Sequence, residues 1–368
     1  MKKVKGIHHI SSTVGHAQRN VDFTYGLLGL RLVKNTLNYD DKTLFHFYYG
    51  NYNGSTGLVT TFPMNDAIEG IIGGGQVSRS IYAVPKGSLG FWKKRLETFG
   101  IQTSTEKVFG KKRLNFSDLD GLAYQFVERD VQNDHPFETE DITEKEAFIG
   151  IESAALLSAK PDETLKVLTE VLGYEIAEET DQRYLLKVHE EIGGSLELNK
   201  NKMPLGRMGK GTTHHIALHV EDDEIDVYLD LLIEKGYKPT EVKDRFYFKA
   251  IYFREPGGIL IELATTGKGV TIDEDVNHLG ESFIIPRHFM LDKNEILNTM
   301  MPIFTRKLKA FEDYGYRDKY EYDLLAEKKR LRKEISQLLK TSKERALNDD
   351  ELKVYQDVRK AYLNLSKK

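Results

Sequence analysis

Four times along this chain a short strand of β-branched and apolar residues leads into an amphipathic helix, a glycine at the helix end, and three further strands. The first copy starts at Ile7, passes through a helix around Asn20–Leu28, and ends on Leu58–Phe62. The second runs from Arg79-Ser80-Ile81-Tyr82-Ala83-Val84 through a helix near Leu89–Phe99, closed by Gly100, to Gly121–Phe126. The third begins near Ile149-Gly150-Ile151, carries a helix at Glu163–Leu172 capped by Gly173, and ends on Gly194–Leu198. The fourth starts at His214, has a helix at Asp223–Lys235 capped by Gly236, and ends on Gly257–Leu263. A βαβββ unit this small cannot cover both faces of its own sheet, so each copy should pair with another and curve around a cavity. The pattern predicts an α+β protein of four βαβββ modules in two domains, 5–130 and 148–285, joined by the acidic linker 131–147.

A charged extension, 286–368, follows the repeats. Leu324, Leu331, Ile335 and Leu338, then Leu352, Tyr355, Val358 and Tyr362, recur at helical spacing on either side of the start signal Asn348-Asp349-Asp350. Two helices are expected, packed as a hairpin on the body or on a second subunit of a homo-oligomer; a tail that docks a partner is the other reading.

Composition narrows the function. The net charge of −4 offers no basic face for nucleic acid. The first residues, Met-Lys-Lys-Val-Lys-Gly-Ile, have no apolar signal core, and no apolar run approaches the roughly 20 residues that span a bilayer. A cytoplasmic protein with no membrane partner is expected. The absence of cysteine excludes disulfides, thiolate ligands and a cysteine nucleophile. Gly73-Gly74-Gly75 is not followed by the Lys-Ser/Thr of a phosphate-binding loop and reads as a plain loop.

Chemistry concentrates in modules one and four. Gly-Ile-His-His-Ile-Ser (6–11) and Thr-Thr-His-His-Ile-Ala (212–217) repeat a histidine pair, and Arg254-Glu255-Pro256-Gly257-Gly258 turns into an apolar strand with one carboxylate, Glu262. Two imidazoles and a carboxylate, each on a strand, are the parts of an open-faced metal site. Side chains alternate along a strand, so one histidine of each pair should face the cavity and its neighbour the other side or a supporting position. His46, a lone strand histidine, could line the cavity but more often such a residue is structural. His219 would share the face of His215 and close the site as a fourth ligand, and is set aside.

These stretches, with Gln18–Phe23, Leu28–Lys34, Ala83–Leu89, Asp244–Phe248, Ile251–Gly258 and Leu279-Gly280-Glu281, resemble the vicinal-oxygen-chelate superfamily. Residues 5–285 look like its ring-cleaving dioxygenases of the hydroquinone type, and the extension lies outside the resemblance. The resemblance implies iron(II), with manganese as a substitute, held by His9, His215 and Glu262, the second histidine of each pair being the ligand. His8 and His214 are the other possible ligand choice. It also implies a small aromatic diol and O₂ as substrates, a part in quinone and aromatic detoxification, hydrogen bonding and proton transfer by Tyr252, and charge stabilisation by Arg245. His8 and His214 are then candidates for acid–base work or for support. Three protein ligands on one face of an octahedron leave positions free for substrate and O₂.

Two other functions suit the same fold. A glyoxalase-like isomerase or thiol transferase needs a second carboxylate, and alignment of module two on module four puts Gln125 at the Glu262 position. Module three likewise has Ser153 where module four has His215. A metal-free module that sequesters an aromatic compound would normally lack the ligand triad.

Overall fold

The computed structural model describes residues 3–305 and 319–365, without the side chains of 319–327 and 364–365. Module one comprises β1 (Ile7–Val14), α1 (Ala17–Val21, continued by a π-helical turn over Asp22–Leu27), β2 (Arg31–Asn38), β3 (Asp41–Gly50) and β4 (Leu58–Pro63). Module two is β5 (Gln76–Pro85), α2 (Leu89–Thr98), β6 (Ser104–Val108), β7 (Lys111–Ser117) and β8 (Ala123–Arg129). Module three is β9 (Gly150–Leu157), α3 (Pro161–Lys166, with a π turn over Val167–Val171), β10 (Glu175–Glu179), β11 (Arg183–Lys187) and β12 (Ser195–Asn199). Module four is β13 (Thr212–Val220), α4 (Ile225–Glu234), β14 (Lys243–Asp244), β15 (Lys249–Arg254) and β16 (Leu260–Thr265), followed by a short β17 (Phe283–Ile284). The four helix ends fall on Gly29, Gly100, Gly173 and Gly236, all at positive φ. The helices bury one stripe each: Leu89, Trp92 and Leu96 in α2, Ile225, Tyr228 and Leu232 in α4.

The modules combine first with last and second with third. A nine-stranded sheet has the order β14-β15-β16-β13-β1-β4-β3-β2-β17, and an eight-stranded sheet the order β10-β11-β12-β9-β5-β8-β7-β6. Each sequence half therefore gives one module to each sheet. The antiparallel pairs β1–β13 and β5–β9 are the seams where modules meet. Residues 131–147 bridge the halves without regular structure but are anchored: Ile142 is fully buried, and Asp141 pairs with Arg95.

A strap from module four closes the outer edge of module one. Lys34 is fully buried, its Nζ 2.7 Å from Asp273 and 2.5 Å from Glu274. Tyr247 donates to Asp273 at 2.9 Å, and the amides of Gly280 and Ser282 reach Glu274. Gly280 has φ +74°, and a Cβ there would stand 1.8 Å from the Leu32 carbonyl oxygen, so only glycine lets the strap lie this close to β2. β17 then pairs parallel with β2.

The extension is helical over Lys319–Glu344 and Asp349–Leu365. Asn348 starts the second helix: its Oδ1 accepts from the Glu351 amide at 2.9 Å, while Glu351 accepts from the Asn348 amide at 3.0 Å, a reciprocal cap. Leu331 is buried, and Arg332 donates to the carbonyls of Leu297 and Met300 at the end of α5 (Lys293–Thr299). The hairpin thus lies on the body; Leu324 falls outside the described side chains. Among the described residues no helix is long and apolar enough to cross a membrane.

Replacing Lys34 by methionine keeps the volume but leaves Asp273 and Glu274 without their cation. We expect Lys34→Met to lose roughly 3 kcal/mol of stability in urea unfolding. Unchanged stability would show that the strap does not depend on this pair.

Candidate metal centre

The register of three neighbouring strands builds the centre. His9 on β1 stands opposite Ala217 on β13, and Ala217 stands opposite Glu262 on β16. Paired residues point to one face of a sheet, and His215, two before Ala217, shares that face. Ala217 is the floor, and three donors surround its small side chain. His9 Nε2 lies 3.1 Å from His215 Nε2 and 3.3 Å from Glu262 Oε2, and His215 Nε2 lies 2.9 Å from Glu262 Oε2. All three side chains are buried.

These distances fit a transition-metal ion. Donors about 2.1 Å from an ion stand about 3.0 Å apart on an octahedral face and about 3.4 Å apart on a tetrahedron. The edges of 2.9 and 3.1 Å lie nearer the octahedral value and the edge of 3.3 Å nearer the tetrahedral one, so the cluster has the size of a transition-metal site. Although His215 Nε2 is close to Glu262, neither carboxylate oxygen has a partner with hydrogen-bond geometry among the described residues. An ionised carboxylate with no donor, deep in the protein, is costly unless a cation completes it. His9, His215 and Glu262 can hold that cation.

Burial alone would raise the Glu262 carboxyl, but the imidazoles of His9 and His215 outweigh it and hold the group well below the usual carboxylate range. Burial lowers His215, with Glu262 partly offsetting it, so its ring stays neutral and its lone pair free.

The first histidine of each pair supports the second. His8 Nδ1 lies 2.8 Å from His9 Nδ1, and His214 Nδ1 lies 2.8 Å from His215 Nδ1. Strict alternation would send these neighbours to opposite faces. The register slips by one between Ile7 and His9 and again between Ser11 and Ser12, so His8 and His214 are each the extra residue of a β-bulge. The bulges bring the paired rings edge to face at about 5 Å. Burial pushes His8 down to about 3 and His214 to about 4, helped by their neighbours, so both are neutral. A neutral ring can accept the Nδ1–H of the ligand histidine, which leaves the ligand's Nε2 bare toward the donor cluster. His8 in turn hydrogen-bonds the Thr265 backbone, on the same strand as Glu262.

A cavity of 440 Å³ opens onto the donors. His9, His215 and Glu262 line it together with Tyr252, Arg245, His46 and His214. His8 does not reach the wall; it stands behind His9 against Phe248. His219 lies elsewhere, with Nε2 2.6 Å from the Thr266 hydroxyl. Tyr252 is directly across from Glu262 on β15, so the two do share a face. Arg245 Nε is 3.3 Å from the Tyr252 hydroxyl, and its Nη1 donates to Asp40 at 2.9 Å. Burial and the Glu262 charge hold the Tyr252 phenol well above its ordinary value, so it remains a donor.

The eight-stranded sheet repeats the arrangement with other residues. Arg79 and Glu197 flank Ala155 as His9 and Glu262 flank Ala217, and Ser153 takes the place of His215. Sequence reasoning passed over Glu197. Here the cation is a side chain: Arg113 donates to Glu197 at 2.5 Å and to Gln125 at 3.0 Å. Gln125 thus belongs to the other sheet. Within the site's own sheet the counterpart of Glu262 is Thr60, paired with Ser11 and bonded to its hydroxyl at 2.6 Å.

Paired βαβββ modules with two imidazoles and a carboxylate facing a shared cavity define the glyoxalase/dioxygenase fold class. The family described as "Glyoxalase/Bleomycin resistance protein/Dioxygenase superfamily" matches residues 150–263. "Putative ring-cleaving dioxygenase MhqO" of Bacillus subtilis (strain 168) is 39% identical over 309 residues, 83% of this chain and 99% of the relative. "Chlorohydroquinone/hydroquinone 1,2-dioxygenase" of Sphingobium indicum is 31% identical over 315 residues, 81% of this chain and 97% of the relative. A crystal structure of a "putative dioxygenase from Bacillus subtilis" superimposes with a TM-score of 0.81 at 39% identity, covering 84% of this chain and 100% of that one. The chain belongs to the ring-cleaving dioxygenases of this superfamily.

His8→Phe preserves the ring that packs on Phe248 but removes the acceptor for His9 Nδ1. Metal affinity, measured by competition with a chelator, should fall about 10- to 100-fold while the metal-free protein melts as before. An unchanged affinity would remove His8 from the support of the centre.

Proposed function

We propose that the protein is an iron(II)-dependent dioxygenase that opens the ring of a hydroquinone, with His9, His215 and Glu262 as ligands. The observation that carries this reading is the cluster of three buried donors within 2.9 to 3.3 Å of one another, set at the wall of an aromatic-lined cavity. The Sphingobium relative, named for hydroquinone cleavage, supports the substrate class. Bound there, iron(II) supplies the one-electron chemistry by which O₂ can react with an electron-rich ring; manganese is the ion to test beside it.

The chain's own residues set up that reaction. Tyr252 accepts from Arg245, and its hydroxyl, which faces Glu262, can donate to a substrate oxygen placed beside that carboxylate. Arg245 stays cationic and is fixed by Asp40, which places positive charge where an ionised phenol oxygen would lie. Phe62, Phe248, Ile284 and Ile285 give the cavity apolar walls that exclude water from the ring. His8 acts through His9 as a positioning residue, and His214 is the bulge histidine with access to the cavity. Thr60 in place of a second carboxylate speaks against a glyoxalase-like isomerase. Consumption of hydroquinones also removes the precursors of reactive quinones, a role in detoxification suited to the cytoplasm.

The test is O₂ uptake by the iron(II)-loaded protein with hydroquinone, 2-methylhydroquinone and catechol, with mass analysis of the product. We expect one O₂ consumed per hydroquinone, both oxygen atoms in a ring-opened product, and a loss of kcat of about 10²- to 10⁴-fold in Tyr252→Phe. No uptake with any of the three diols would overturn the reading.

A further inference from the structure

The site accounts for one oxygen of a diol and leaves the other without a partner. Where the second oxygen goes depends on the wall formed by module one. The inward face of β3 carries Leu44, His46 and Tyr48, and all three line the cavity. Tyr48 stands opposite Thr60 as Tyr252 stands opposite Glu262, so β3 is the module-one counterpart of β15. The two strands are opposing walls of one chamber.

His46 carries a buried, unspent nitrogen on that wall. Its ring lies between Tyr48, at 4.2 Å between centroids, and Phe62, at 4.3 Å. Its Nε2 is buried, and among the described residues it has no hydrogen-bond partner. Four other polar groups of the cavity are committed. Thr36 donates to the Ile284 carbonyl, Asn38 accepts from the Asp40 amide, Asp40 holds Arg245, and Asp273 holds Lys34. An unsatisfied buried imidazole nitrogen is expensive and is tolerated where a ligand completes it. Burial also keeps this ring neutral, with one nitrogen to donate and one to accept.

We propose that His46 binds the hydroxyl of a para-diol that stays away from the metal ligands, and so selects hydroquinones over phenols that lack this group. A hydroquinone places its oxygens at opposite ends of the ring, one at Tyr252 and the ligands, the other toward β3. A catechol places both at the ligand end and gains nothing from His46. Aromatic walls on either side of the imidazole hold it in place.

This assignment rests on the functional reading above for its substrate, but binding tests it without turnover. Under nitrogen, with iron(II) bound, the dissociation constants of hydroquinone and phenol are measured by calorimetry for the native protein, His46→Leu and His46→Gln. The native protein should bind hydroquinone about 10-fold more tightly than phenol, the worth of one well-made hydrogen bond in a dry site. His46→Leu should close that gap without changing the affinity for phenol or catechol, and His46→Gln should keep most of it. His46→Phe serves if the leucine variant does not fold. A gap that persists in His46→Leu, or its absence in the native protein, overturns the proposal. If the gap behaves as expected but no diol is turned over, the functional reading fails and the assignment of His46 stands.

Discussion

The antiparallel pairing of β1 with β13 joins the first module to the last, and the candidate metal centre depends on it. Ala217 fixes the geometry: His9 is its neighbour across one strand boundary, Glu262 across the other, and His215 is two residues earlier on its own strand. A one-residue slip at either boundary would turn a ligand to the far face of the sheet. The β-bulges add a second function to the same seam. They bring Nδ1 of His8 and His214 within 2.8 Å of Nδ1 of His9 and His215, so strand pairing sets both the positions of the candidate ligands and the hydrogen bonds behind them.

Three buried donors facing one another favour a cation between them. Glu262 is ionised against the cost of burial only because two imidazoles face it. The eight-stranded sheet shows the alternative solution to the same problem. There Glu197 occupies the corresponding position, and the guanidinium of Arg113 neutralises it. One sheet carries an internal cation and the other presents three donors that could hold an external one, so the fourfold repeat yields a single candidate metal centre among the described residues.

Much of this was legible in the sequence because it is local. The glycine helix ends follow from short patterns, and the two histidine pairs and Glu262 stand out in the same way, while the choice of His9 and His215 within the pairs comes from the family resemblance. The reciprocal cap at Asn348 also follows from a short pattern. What was not legible is non-local. The ligand-type residues on modules one and four already imply that these two modules meet, but the register and the bulges that bring His8 and His214 to their neighbours depend on both partner strands and could not be read from either alone. The strap over Lys34 joins residues far apart in the chain. His46 looked like any strand histidine; only the packing shows that its nitrogen lacks a partner while its neighbours have theirs.

The central claim is that one ion sits on the face formed by His9, His215 and Glu262. Crystals of the protein reconstituted with iron(II) without oxygen, measured at the iron absorption edge, test it most directly. A single anomalous peak within bonding distance of His9 Nε2, His215 Nε2 and a Glu262 oxygen is predicted. A peak held by His8 or His214, or one beside Glu197, would contradict it.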